Sequence, residues 1–338
     1  MADRRVLVDV VILNWNGWPH LDRCLAALAR QTLRDVAIWV VDNGSCDGSP
    51  DQVRARYPQV NLLCNRENRG FAAASNLGIA AGGAPWVATL NNDAEPEPGW
   101  LAALVEALEP EPAVGMAASQ MLSQRCPGLI DSAGIAVDRA GIFWDRLAGA
   151  PDGSGGQAVS PVFGPCAGAA LYRRQMLAEV GLFEESYFSY LEDVDLAWRA
   201  RLAGWGALYV PRARARHVHS ATLGDRSPQK SYLLGRNKLW TIVRNYPSPH
   251  LVRRWPLILA YDLLAAMYAV LAQERWAALR GRVAAWRGLR RVWQERQSIQ
   301  RRRRVSAAEA DRWLEPAIAP WRVAARFAPP RPEVRSHR

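Results

Sequence analysis

The residues Leu90-Asn91-Asn92-Asp93-Ala94-Glu95-Pro96 hold the clearest chemistry in the chain. Asp93, with Asn91 and Asn92 before it, offers oxygen ligands, which hard divalent cations prefer, and a cation there would face a diphosphate. An apolar run from Trp86 to Leu90 precedes the segment and reads as a buried strand. Glu95-Pro96-Glu97-Pro98-Gly99 is turn chemistry, and Trp100 to Leu108 resumes with helical spacing. The carboxylate is therefore expected at the C-terminal end of a central strand, where open α/β sheets keep their ligand crevice. An Asx turn without a ligand uses the same residue types, so the rest of the chain has to decide.

A second concentration of acids, Glu192, Asp193 and Asp195, precedes Leu196, Arg199, Ala200 and Ala203 at helical spacing. Acids favour a helix N-terminus for dipole reasons alone. Three of them behind Tyr187, Phe188 and Tyr190 exceed that need. His217 and His219 follow a strand-like run, Ala207 to Val210, and a neutral imidazole nitrogen accepts a metal. Gly168 to Arg173 reads as a small-residue turn entering a strand, with Arg173 or Arg174 available to a phosphate.

These groups need a frame, and the first half of the chain supplies one. Val6 to Leu13, Val36 to Val41, Asn61 to Cys64 and the run before Asp93 read as strands. Helical segments separate them: Leu21, Cys24, Leu25 and Leu28 line one face, and Ala72 to Ala81 forms another. Strands alternating with helices imply right-handed crossovers and a parallel sheet. Each strand ends in a polar, Gly- or Asn-bearing loop, at 14–17, 42–49, 65–70 and 91–95, and in a parallel sheet these ends share one edge. Four such loops predict a nucleotide site. Neither GxGxxG nor GxxxxGK[ST] occurs in them, which argues against a dinucleotide or P-loop site.

The 338 residues allow one large domain or two, and 49% hydrophobic content fits a soluble chain. Met1 to Arg5 leads straight into a strand, so no signal peptide is expected. Five cysteines without CxxC spacing disfavour zinc and suggest a reducing, cytoplasmic compartment. The formal charge of +11 lies in the last quarter, where 19 Arg face 7 acids from His250 onward. There Trp255 to Ala272 has bare membrane-spanning length but contains Asp262. Trp276, Leu279, Val283, Trp286, Leu289 and Trp293 then recur at three- and four-residue steps among arginines, as in a basic amphipathic helix lying in a membrane interface. Arg301 to Arg304 would add attraction to anionic lipid. A helical pair packed on the catalytic part, with a solvated basic face, is the plainer alternative.

The motifs VILNWNG (11–17), VDNGSCDGS (41–49), NRGFAAASNLG (68–78) and LNNDAEP (90–96) resemble family 2 glycosyltransferases of the GT-A fold. GPCAGAALYRR (164–174), FSYLEDVDLAWRARLAGW (188–205), HVHS (217–220) and GRN (235–237) extend the resemblance over residues 6 to 245, nearest to bacterial rhamnosyltransferase-like enzymes. It implies a Rossmann-like, mostly parallel sheet flanked by helices. The expected division is a GT-A catalytic domain at 1–245, with a nucleotide-sugar half (1–110) and an acceptor half (111–245), then a basic helical region at 246–338.

By the same resemblance, Asp42 accepts from the N3–H of uracil or thymine, and Asn14, Asn68, Arg69, Asn91 and Asn92 lie on the donor nucleotide. Asp93 matches the last acid of the family's metal motif, for Mg2+ or Mn2+. His217 and His219 both remain open as a further metal contact, with His219 preferred. Asp193 is the general base, with Glu192 its rival, and Gly168, Trp205 and Arg173 contact donor or acceptor. The expected activity is inverting, metal-dependent transfer of a sugar, plausibly rhamnose from dTDP-rhamnose. The donor would be a dTDP- or UDP-sugar, and the acceptor a hydroxyl of a lipid-linked or polymeric cell-envelope glycan at the inner face of the plasma membrane. A sugar-nucleotide nucleotidyltransferase would share the sheet and metal. A nucleic-acid-binding protein would use the arginine tail, but the near-neutral first 249 residues and the lack of a nucleic-acid motif argue against it.

Overall fold

A computed structural model describes residues 6–218, 227–271 and 276–319. The chain begins with the expected alternation: β1 (Val8–Asn14), α1 (Trp18–Leu28), β2 (Val36–Asp42), α2 (Ser49–Arg56), β3 (Asn61–Cys64), α3 (Gly70–Ala81) and β4 (Trp86–Asn91). A short β5 (Ala94–Pro96) and α4 (Trp100–Leu108) follow. The middle is strand-rich: β6 (Val114–Ser123), β7 (Ile130–Ser132), β8 (Ile135–Val137), β9 (Phe143–Asp145), β10 (Ser160–Pro161) and β11 (Ala169–Arg173). Then come α5 (Arg174–Val180), α6 (Glu192–Leu202) and the long β12 (Gly206–His217). The described C-terminal part is helical: α7 (Pro228–Asn245), α8 (Ser248–Leu271), α9 (Trp276–Arg287), α10 (Leu289–Arg301) and α11 (Ala307–Asp311).

The main sheet runs β10-β12-β6-β11-β4-β1-β2-β3. Strands β3, β2, β1 and β4 are mutually parallel, as right-handed crossovers require. Beyond β4 the order departs from sequence: β11 inserts antiparallel between β4 and β6, and β12 pairs parallel with β6. β1 and β4 are buried along nearly their whole length, which explains their continuous apolar runs. Helices α1 and α4 cover one face with Leu21, Leu25, Trp100 and Leu104. On the other face Ile79 of α3 and Trp198 of α6 lie in the second core.

The boundary expected at residue 245 from the extent of the resemblance is crossed by packing. Tyr246, Leu251, Ile258, Val305 and Leu314 share that second core, and the Tyr246 and Trp198 rings lie 4.7 Å apart. Backbone bonds from Glu315 N to Val137 O and from Arg139 N to Glu315 O stitch residue 315 onto the β8 end. The amphipathic segment expected over 276–296 is two helices, α9 and α10, interrupted at Gly288.

The edge of the sheet remote from Asp93 is tied by Asp9. Its buried carboxylate accepts from Ala84 N at 2.7 Å, Arg174 Nη2 at 2.7 Å and Trp39 Nε1 at 3.1 Å. Arg174, a candidate phosphate ligand by sequence, is thereby committed to the fold. Asp9→Ala leaves these donors unpaired in the interior and is expected to cost about 3–5 kcal/mol. Urea unfolding reads this, and a loss below about 1 kcal/mol, the range of an exposed ion pair, would show the cluster to be idle.

Candidate active site

The β1 and β2 ends stand in register, Asn14 beside Asp42. Asn14 Nδ2 donates to Asp42 Oδ2 at 3.1 Å, and Asn92 Nδ2 donates to Asn14 Oδ1 at 2.9 Å. A chain of amides thus runs from Asp42 to the residue before Asp93. Ser45 N holds the other Asp42 oxygen at 2.9 Å. Asn43, which the sequence reading passed over, organises the next loop. Its Oδ1 accepts from Asn65 Nδ2 at 2.9 Å and Arg69 N at 3.1 Å, while its Nδ2 donates to Asn68 Oδ1 at 2.8 Å. Asn68 also accepts from Gly70 N at 2.9 Å, so its side chain shapes the turn, and the half-exposed Arg69 guanidinium lies 3.7 Å from Glu185.

Asp93 lies in the two-residue turn between β4 and β5, and β5 pairs antiparallel with β12, setting Ala94 opposite His217. His217 Nε2 lies 3.0 Å from Asp93 Oδ1 and 3.2 Å from Asn91 Nδ2. Asp131 on β7 meets the other ring nitrogen, Nδ1, at 2.7 Å. Asp131 carried no spacing signal; only the pairing of β7 with β6 brings it there. Burial alone would lower the His217 pKa, but hydrogen bonds to Asp131 and Asp93 raise it to about 10. Burial likewise opposes ionisation of Asp93, yet His217 holds its carboxyl below the usual range. Among the described residues, no three acid, His or Cys side chains form a closed cage. One carboxylate and one imidazole with a carboxylate behind it fit a divalent cation that keeps open positions for ligand oxygens. His219 lies outside the described residues.

Asn91 N donates to Gly168 O at 2.9 Å, which joins the end of β4 to the turn before β11. One residue earlier, Ala167 N donates to Asp193 Oδ2 at 3.2 Å. Both concentrations of acid identified in the sequence therefore meet at one strand end. The approach to Asp193 is contorted: Phe188, Tyr190 and Leu191 all have positive φ (66°, 72° and 69°). Such residues cost on the order of 1–3 kcal/mol each and persist only where the surroundings hold them. Gly70 is part of that hold, since a Cβ there would come within 2.4 Å of Phe188 O.

The three acids of α6 have different environments. Burial raises Asp193 to about 6, aided by the charge of Asp145 and opposed by the Ala167 N–H. Glu192 is pushed well above the carboxylate range by burial and by Asp193, and its Oε2 is buried without a partner among the described residues. Asp195 faces inward: burial is overcome by Arg244 and Arg199, and its carboxyl stays below the ordinary range. Of the three, Asp193 has the pKa suited to exchanging a proton near neutrality.

Two expected contact residues stand elsewhere. Arg173 lies five residues along β11 from Gly168, roughly 16 Å at strand rise. Its guanidinium donates to the carbonyls of Val114, Leu108 and Glu111 and stacks on Trp86 at 4.5 Å. Trp205 follows the far end of α6, where it is buried and donates to Glu179 at 3.2 Å. Both are packing residues, because strand direction and helix length carry them away from Asp93 and Asp193.

The sheet, with a carboxylate-imidazole pair and a partly buried acid at one edge, is that of the GT-A fold class. The fold is similar to that of GalNAc-T7 with UDP, GalNAc and Mn2+ (TM-score 0.54, 15% identity, 68% of this chain and 48% of that one). It is also similar to S. aureus TarS (TM-score 0.51, 17% identity, 77% and 43%). The sequence profile "Glycosyl transferase family 2" matches residues 9–181, and the chain belongs to that family. It is 34% identical over 255 residues to the N-acetylglucosaminyl-diphospho-decaprenol L-rhamnosyltransferase of Mycobacterium tuberculosis, 69% of this chain and 82% of that protein. It is 32% identical over 236 residues to the pre-mycofactocin glycosyltransferase of the same organism, 68% of this chain and 46% of that protein.

The folded-state pKa of His217, raised to about 10, lies above the ordinary value of about 6.5. Its contribution to stability is complete below pH 6.5 and is lost as the pH rises through 10. Metal-free protein is expected to melt at falling temperature over that window, and His217→Gln should flatten the slope. Equal slopes for the two proteins would contradict the assigned clamp.

Proposed function

We propose that this enzyme transfers a sugar, with inversion, from a pyrimidine nucleoside diphosphate to a hydroxyl of a lipid-linked glycan. The observation that carries this reading is the convergence of Asp93–His217 and Asp193 on the two sides of the Asn91–Gly168 contact. Asp42, Asn14 and the Asn43-organised loop would receive the base and ribose, and a carboxylate at Asp42 suits the imide N–H of uracil or thymine. Asp93 and one histidine would hold Mg2+ or Mn2+, which neutralises charge on the departing diphosphate. Asp193 would take the acceptor proton as the oxygen attacks the anomeric carbon, with burial keeping competing water away. The relative that acts on a decaprenol-linked sugar supports a lipid-linked acceptor and rhamnose as the sugar, hence dTDP-rhamnose as donor.

The C-terminal helices support work at a membrane surface. Val252, Leu263, Met267 and Leu271 on α8, with Trp276 and Trp286 on α9, are each more than half exposed. By length and composition α8 could cross a membrane. Asp262, however, lies inside, 3.2 Å from Lys238 and 2.9 Å from Arg282, so the helix is fixed to α7 and α9 with its apolar side outward. That arrangement favours lying in the interface over spanning it. It would place the active site, on the cytoplasmic side, beside a lipid-borne acceptor.

Donor binding is checked by calorimetry with dTDP, UDP and GDP, each with and without Mn2+. A metal-dependent preference for a pyrimidine is expected, with dTDP favoured, and tighter GDP binding would overturn the assignment of Asp42. Asp193→Asn should fold, bind the diphosphate normally and lose on the order of 10²–10⁴ in kcat. Wild-type kcat should fall about tenfold per unit below pH 6, as the Asp193 base is protonated. Full activity in Asp193→Asn would exclude Asp193 as the base.

The joint replacement Trp276→Ser and Trp286→Ser should weaken binding to anionic vesicles at least tenfold, since one buried aromatic is worth about 1.5–3 kcal/mol. Unchanged flotation with vesicles would refute the interfacial reading.

A further inference from the structure

The tripeptide Gly235-Arg236-Asn237 on α7 has no part in the chemistry above, yet it touches the segment that delivers the base. Asn237 is fully buried, and its single side-chain amide points at three backbone carbonyls: Tyr187 at 3.1 Å, Ser189 at 3.0 Å and Tyr190 at 2.8 Å. Arg236 Nη2 donates to Ser186 O and Tyr187 O, both at 2.9 Å. Its Nε donates to Asn237 Oδ1 at 2.9 Å, so the two side chains act as one unit. The Arg236 guanidinium is in turn stacked 4.5 Å from the Trp240 ring.

The held segment is the contorted one. Phe188, with φ 66° and ψ −65°, sits in the rarely visited γ-turn region, and Leu191 is left-handed at the N-cap of α6. Among the described residues no side chain caps this helix, so the backbone path through 187–191 sets the point at which it starts. Left to its own preferences, such a run of non-glycine residues would relax to negative φ and turn the start of α6. The same segment reaches the donor side, because Ala72 N donates to Phe188 O and Phe71 N to Ser189 Oγ, both at 3.2 Å.

We propose that Arg236 and Asn237 are positioning residues, a latch whose converging donors hold residues 186–191 in their left-handed path and thereby set the place of Asp193. This rests on Asp193 being the base. The latch also links the base to the C-terminal helices, since Gly235 lies so close to α9 that a Cβ would come within 2.5 Å of Ala278 O. Holding a reacting group in place is worth a large factor, because a misplacement of about 1 Å costs on the order of 100-fold in rate.

The test compares Asn237→Asp, which keeps the size but removes both N–H donors, with Asn237→Ser, which substitutes one O–H donor on a shorter side chain. Backbone hydrogen exchange gives a readout that needs no substrate. Peptides covering 186–195 are expected to exchange faster in Asn237→Asp, while those of β1 to β4 keep wild-type protection. With whichever pyrimidine diphosphate sugar the wild type turns over, kcat should drop about 100-fold with donor KM nearly unchanged. Asn237→Ser should recover part of both effects. Uniform loss of protection together with equal losses in kcat and 1/KM would mean general destabilisation and would overturn the proposal, as would unchanged exchange. If Asn237→Asp does not fold, the same local exchange and kcat criteria in Asn237→Ser decide. If the wild type turns over no such sugar, the donor assignment fails, and exchange alone still decides whether the latch exists.

Discussion

Strand β4 ends between β1 and β11, and the hydrogen bonds on its two sides determine what Asp93 can meet. On the β1 side, Asn92 reaches Asn14 and, through it, Asp42. On the β11 side, Asn91 is tied to Gly168, one residue from the amide that holds Asp193. A slip of one residue in either pairing would turn every side chain of β4 to the opposite face. Burial on both faces forbids that slip, so the apolar runs far from the chemistry hold the polar strand end in register. The β5–β12 pairing then brings His217 in from a third direction.

The electrostatics of the site follow from that geometry. Asp93 is a buried carboxylate and Asp193 a partly buried one, and their surroundings push them apart. One shares a proton donor with Asp131 through His217 and stays ionised; the other lies among Asp145 and Glu192 and titrates near neutrality. Pairs of acids separated in this way take different roles. Asp195, two residues from Asp193, is spent on the fold: Arg199 and Arg244 face it at 2.8 and 3.0 Å. The helix dipole explains the presence of acids in this turn, but only tertiary partners decide which of them has a proton to exchange.

The strands of the first half, their shared polar edge and the two acidic centres were legible because periodicity and turn chemistry are local. What was not legible depends on non-local pairing. Asp131 looks like any surface-loop acid until β7 pairs with β6. Asn43 is hidden in a Gly-rich turn, where an Asn needs no further reason. Arg173 and Trp205 follow motif residues closely in sequence, but strand and helix rise carries each away from the site. His217 and His219 lie two residues apart beyond the expected strand run, and only the pairing of β12 with β5 brings His217 to Asp93.

The C-terminal layer shows how one composition serves two environments. Its arginines read from sequence as a solvated or lipid-facing stripe, yet several turn inward. Arg282 pairs with Asp262, and Arg296 donates to the carbonyls of Val243 and Tyr246; on the neighbouring α7, Arg244 joins Asp195 to Glu184 and Glu295. Burying a guanidinium is tolerable only when its donors are used, so each inward arginine fixes one helix against its neighbour. The inward pairs leave the apolar side chains of α8 and α9 with nowhere to go but out. The outward tryptophans and leucines thus follow from Asp262 pairing inward with Lys238 and Arg282, and α7, which carries Lys238, also carries the Arg244 that pairs with Asp195 of α6, so a surface suited to lipid is linked to the helix that carries Asp193.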